Sequence, residues 1–138
     1  MVAHKSSRRV SAALALAAIA ALAGFGSLHM RLVKSFPAED QVLAETPAHI
    51  QLWFSQDPEL ALSRVRLTGS GDGTFELGKA QATDDPKSFM VPISDTLPEG
   101  SYKILWQTAS PDGHKIRGEY AFRFSTTESS AEGQGNSD

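Results

Sequence analysis

Residues 97–124 read LPEGSYKILWQTASPDGHKIRGEYAFRF. Tyr102 and Trp106 share one face of YKILWQTA, and Tyr120, Phe122 and Phe124 share one face of EYAFRF. Apolar residues at every second position are the mark of half-buried strands, because side chains alternate across a pleated backbone. Between the two runs stands Pro111-Asp112-Gly113, a combination that favours a tight turn. The stretch therefore predicts a strand, a turn and a second strand. The same period continues outward: Ile50, Leu52 and Phe54 share one face of HIQLWFS, and Val65 and Leu67 share one face of RVRLT. Turn chemistry separates these runs at residues 36–40, 45–47, 69–73, 84–86 and 97–100. Regular interruptions of this kind give roughly seven strands. The expected fold is all-β, an immunoglobulin-like Greek-key sandwich or barrel, with Pro58–Leu62 allowed a helical turn or two.

The chain has 138 residues, enough for one domain and one core. It contains no cysteine, which excludes a disulfide framework, a thiolate metal site and cysteine nucleophiles. Lys5, Arg8 and Arg9 precede Val10–Leu28, nineteen residues without a charge. A basic start followed by an apolar run is an export signal. The best small-x-small site ends at Ala23, making Gly24 the first mature residue; the alternative is an uncleaved signal anchor, since the run is just long enough to span a bilayer. Both readings place residues 29 onward outside the cytoplasm, in the periplasm or otherwise exported, and differ in whether the domain is tethered to the inner membrane. Residues 126–138 are polar and are expected to form a disordered tail. The organisation is thus a signal or anchor over 1–28, a sandwich over 29–125 and a tail over 126–138. Three of the thirteen Lys and Arg lie in the leader, leaving 10 cations against 16 acids. This balance disfavours a nucleic-acid partner.

Of the four histidines, His4 belongs to the leader. His49 falls on the face of its strand opposite Ile50, Leu52 and Phe54, beside Gln51 and Trp53, and is expected to face solvent. Trp53 and Trp106 are expected to pack in the core or over a sheet face. Asp112-Gly113-His114 sets a carboxylate and an imidazole two residues apart in a turn, and His29 offers a third donor at the start of the folded domain. Ser110 is close in sequence, but a hydrolytic triad needs a rigid spatial arrangement and an oxyanion hole that nothing here suggests.

Several of these segments together carry a resemblance: His29-x-Arg31-Leu32-x-x-Ser35-x-Pro37-Ala38, PAHIQLWFS, SRVRLTGSGDG and the whole of residues 97–124. The chain resembles the CopC family of periplasmic copper-binding proteins from His29 to Phe124. The most specific piece is Leu-Pro-x-Gly-x-Tyr-x-x-x-Trp running into Ser-x-Asp-Gly-His-x-x-x-Gly. The resemblance implies a β-sandwich that holds one Cu(II) per chain through His29, Asp112 and His114, without catalysis. It also implies copper resistance or homeostasis as the task, with a membrane copper transporter as a partner class. Imidazole nitrogen and carboxylate oxygen suit the tetragonal preference of Cu(II).

Two departures matter. In the family the free amine of the first residue completes the site, whereas a cut after Ala23 leaves five residues ahead of His29. The Met-rich Cu(I) loop of some members has no counterpart, since only Met30 and Met90 follow the leader; no Met-rich Cu(I) site is expected. The rival reading is an interaction or accessory module that keeps the sandwich and has lost tight metal binding. An oxidative copper enzyme is disfavoured by the small size of the domain and by a carboxylate in the coordination space. Glu119 and Ser110 remain equal candidates to orient a ligand imidazole.

Overall fold

The computed structural model describes residues 29–127; the leader, with His4, and the end of the tail lie outside the described residues. Nine strands form in chain order: β1 (Leu32–Phe36), β2 (Val42–Leu43), β3 (His49–Phe54), β4 (Arg64–Gly69), β5 (Thr74–Phe75), β6 (Gln81–Ala82), β7 (Ser88–Pro92), β8 (Gly100–Ala109) and β9 (Lys115–Phe124). They make two sheets, one of order β1-β3-β7-β6 and one of order β2-β9-β8-β4-β5. The all-β reading holds. The strand count is higher than roughly seven because β2, β5 and β6 are two-residue strands. The helical patch before β4 is a single 3-10 turn over Leu60–Leu62.

The core forms where the predicted apolar faces meet. Ile50, Leu52 and Phe54 of β3 alternate with half-buried His49, Gln51 and Trp53. Facing them are Leu67 of β4, Tyr102, Ile104 and Trp106 of β8, and Tyr120, Phe122 and Phe124 of β9, all buried. Ring contacts cross the layer. Phe54 meets Trp106 edge-on with centroids 5.4 Å apart, and Tyr102 stacks on Phe122 at 5.3 Å. The Tyr102 hydroxyl donates to the Pro98 carbonyl, tying the entry of β8 to its own strand.

β8 and β9 form the longest ladder, antiparallel from Gly100↔Phe124 to Ala109↔Lys115. The five residues between them, 110–114, close that ladder at one end of the sandwich. The same end receives the start of the domain. β1 pairs antiparallel with β3, Leu32 opposite Phe54, and just before it the Arg31 N–H donates to Ser55 Oγ at 3.0 Å while the Ser55 N–H donates to the Arg31 carbonyl at 2.9 Å. Four residues after Ser55, the Glu59 N–H donates to the Ala109 carbonyl at 2.9 Å. These bonds link the entry of β1, the exit of β3 and the exit of β8.

Candidate metal centre

The 110–114 turn is built from its own polar groups. The Gly113 N–H donates to the Ser110 carbonyl at 2.8 Å, and the Ser110 N–H donates to the His114 carbonyl at 2.9 Å. Gly113 has φ +88°, a conformation that strains any residue with a Cβ. The turn therefore carries its own glycine between the two candidate donors.

Asp112 is the hub of this turn. Its Oδ1 accepts from the Ser110 hydroxyl and from the His114 backbone N–H at 3.3 Å, and its Oδ2 lies 2.8 Å from His114 Nδ1. Donation by Ser110, then by the His114 side chain and backbone, pulls the Asp112 carboxyl down to about 2. It is ionised throughout the physiological range, so the bond to the neutral ring runs from Nδ1–H to the carboxylate. Both side chains are open to solvent, 66% for Asp112 and 82% for His114.

The Nδ1 to Oδ2 separation of 2.8 Å is that of a hydrogen bond. An imidazole nitrogen binds a metal only when it carries no proton, so Nδ1 would be a donor with the ring proton on Nε2. By contrast, Ser110, Asp112 and His114 cannot act as a hydrolytic triad, because the carboxylate sits between the hydroxyl and the imidazole; the serine has no base.

The structure brings Asp112 and His114 together and leaves His29 outside the pair. Among the described residues no group of three or more His, Cys, Asp or Glu side chains is placed to hold a metal ion. His29 is exposed and precedes the first strand, while its neighbour Met30 is buried in the core at 5% exposure. The backbone at His29 is thus anchored at the same end of the sandwich as the turn, by Met30 and by the Arg31–Ser55 bonds.

Of Ser110 and Glu119, Ser110 is the one that touches the pair, through the Asp112 carboxylate and the His114 carbonyl at 3.3 Å rather than through the imidazole. Glu119 stands further along β9, opposite Leu105 in the ladder, and pairs with Lys103 at 3.3 Å. Sequence reasoning missed a support beneath the turn. Ser63 and Thr108 share a buried hydroxyl bond at 2.8 Å, and Ser63 also donates to the Glu59 carbonyl at 2.9 Å. A polar residue next to a strand gives no sequence signal of such pairing.

His49 differs from expectation. It is half-buried rather than free in solvent, because the Phe36 ring on the neighbouring strand lies 5.2 Å away. Trp53 covers the same outer face, with Lys34 Nζ 4.6 Å from its ring centroid.

A change at Ser110 should be read directly at Asp112. In Ser110→Ala the strongest donor to the carboxylate is lost, so the Asp112 pKa is expected to rise from about 2 toward its ordinary 3.8. Carbon-13 chemical shifts of the carboxyl followed through acid titration would show it. An unmoved midpoint would mean that His114 alone sets the value.

Comparison with known proteins decides the family. A CopC domain matches residues 32–125. The chain belongs to the CopC family. Copper resistance protein C from Escherichia coli is 33% identical over 101 residues, covering 68% of this chain and 79% of that protein. Protein YobA from Escherichia coli strain K12 is 33% identical over 95 residues, covering 68% of this chain and 77% of that protein. Among solved structures, PcoC, a methionine-rich copper resistance protein from Escherichia coli, superposes with a TM-score of 0.64 at 31% identity, covering 70% of this chain and 99% of PcoC. As a CopC protein this chain has a copper-related function. It differs from a methionine-rich relative in its sulfur: of its two methionines after the leader, Met30 is packed in the core and Met90 is half-buried on β7.

Proposed function

We propose that this CopC protein is an exported carrier that holds one Cu(II) for buffering, resistance or delivery to a membrane copper transporter, and that it performs no catalysis. Asp112 and His114 supply two equatorial donors, and His29 supplies a third. The leader over 1–28 directs the domain out of the cytoplasm and the segment after 125 is a polar tail. The observation that carries the reading is the Asp112–His114 pair, brought together on one glycine-bearing turn.

The two donors make different contributions. Asp112 is anionic across the working range and lowers the charge of the bound ion, which favours Cu(II) over Cu(I). His114 presents a borderline nitrogen that is oriented before the metal arrives, so little side-chain ordering remains to oppose binding. His29 would hold the ion from the chain end anchored by Met30. The copper is cargo here, and an exposed site suits a protein that must give it up.

The second reading, an interaction module without tight metal binding, draws on His29 standing outside the pair. A competitive Cu(II) titration of the exported, processed protein separates the two. One equivalent held against a strong chelator at neutral pH supports the carrier; binding no stronger than that of an unstructured histidine peptide supports the module. The pH dependence gives a second check. Imidazoles bind copper only when neutral, and a free imidazole titrates near 6.5. Asp112, titrating at about 2, adds no dependence above pH 4. Affinity is therefore expected to fall steadily from pH 7.5 to pH 5, and flat binding over that range would contradict a histidine site.

A further inference from the structure

The outward face of the five-stranded sheet has a charge pattern that copper binding does not use. Arg64 and Arg66 of β4, Lys103 of β8, and Lys115, Arg117 and Arg123 of β9 are all exposed on it. These are six of the ten cations between residues 29 and 127, whereas Glu119 is the single one of the thirteen acids there that projects from these three strands on this side. The described residues, with 10 cations against 13 acids, thus gather most of their positive charge on one face. Solvation alone does not call for such sorting; mixed signs solvate a surface equally well.

Five of the six stand in two columns, on β4 and β9, with Lys103 on β8 between them. Arg64 is opposite Gln107, which is opposite Arg117; Arg66 is opposite Leu105, which is opposite Glu119. The columns on β4 and β9 are about 10 Å apart, two strand spacings, and same-face residues along each lie about 7 Å apart. Half-buried Leu105 and Gln107 on β8 form the floor of an open groove between them. Arg64 is held in place, donating to the carbonyls of Ala61 at 3.0 Å and Ser63 at 2.7 Å, bonds that leave its charge uncancelled. Glu119 is engaged by Lys103.

We infer that this groove binds an extended, carboxylate-rich segment of a partner protein. A strand-like peptide laid along β8 sends alternate side chains to opposite sides. Its carboxylates then meet Arg64 and Arg66 on one flank and Lys115 and Arg117 on the other. Arginine forks pair two-pronged with carboxylates. A bilayer would offer a flat array of phosphates to which a groove adds nothing, and the exposed large apolar side chains, Val33, Val42 and Leu62, belong to none of the three strands and so offer no insertion from the groove. The inference stands whether or not copper is bound.

The test uses the full-length chain and a fluorescently labelled dodecapeptide of alternating Asp and Glu, with an Asn/Gln peptide as control, followed by anisotropy at low and physiological salt. Binding of the acidic peptide alone is expected, weakened at least about tenfold in Arg66→Glu/Arg117→Glu. Lys79→Glu/Lys87→Glu, the same change in net charge on residues outside the three groove strands, should bind as the parent does, and Arg66→Gln/Arg117→Gln gives the milder version should the reversal disturb folding. Equal loss in the two Glu pairs would overturn the inference in favour of net charge. Face-dependent binding to phosphatidylglycerol vesicles without peptide binding would overturn it in favour of a membrane. Self-association abolished by the Arg66/Arg117 changes, again without peptide binding, would overturn it in favour of a second copy.

Discussion

His114→Ala is expected to abolish tight Cu(II) binding, lowering affinity by on the order of a hundredfold or more while leaving the melting temperature nearly unchanged. Both parts follow from the position of the residue. The side chain is 82% exposed, so its removal opens no cavity, and the backbone bonds of the turn, Gly113 to Ser110 and Ser110 to His114, survive in alanine. The imidazole is nonetheless one of the two side chains of the proposed site that the structure brings together. Asp112→Asn refines the expectation. If the carboxylate is a ligand, the amide loses the charge that favours Cu(II) and the affinity falls as far as in His114→Ala. If it only orients the ring while copper binds at Nε2, the loss is about ten- to a hundredfold. His49→Ala, on the outer face of the other sheet, should leave copper affinity unchanged and acts as the control. Copper held equally well by parent and His114→Ala would remove the metal from the 110–114 turn.

These expectations rest on a part of the molecule that the sequence displays unusually well. Asp112, Gly113 and His114 are neighbours in the chain, so their meeting depends on a turn of five residues rather than on the fold, and Pro111-Asp112-Gly113 announces that turn. β3, β8 and β9 are legible for a related reason: each is long enough to repeat the two-residue period several times. β2, β5 and β6 are not. Two residues cannot show a period, and such strands exist because a longer neighbour offers bonds, as β9 does to β2 in the parallel pair Val42↔Arg123 and Leu43↔Phe124. The relation of His29 to the turn is hidden for another reason. It depends on β1 pairing with β3 and on Glu59 reaching Ala109, contacts between segments far apart in the chain, and His29 itself is exposed and belongs to no strand. The half-burial of His49 was hidden likewise, since alternation gives the side of the sheet but not that Phe36 on the adjacent strand leans over it.

The largest effect on stability is expected at Trp106, and it tests how the two long strands are held together. Trp106 is 9% exposed, touches Phe54 across the core, and lies opposite Gly118 in the β8–β9 ladder. A Cβ at Gly118 would fall 2.6 Å from Trp106 Cζ2, so the indole occupies the space that any side chain at 118 would need. Trp106→Ala should cost roughly 3–5 kcal/mol, a drop of more than about 10 °C in melting temperature for a domain of this size. Gly118→Ala should cost about 1–3 kcal/mol, because the methyl group drives the indole out of its seat. The double variant then discriminates between packing and propensity. With the indole gone, the methyl at 118 enters empty space and takes back part of the cavity, so the two losses should fall short of adding by at least about 1 kcal/mol. Strict additivity would mean that Gly118 is needed for its backbone alone, and that Trp106 stabilises the sandwich through Phe54 and the rest of the core rather than through the strand beside it.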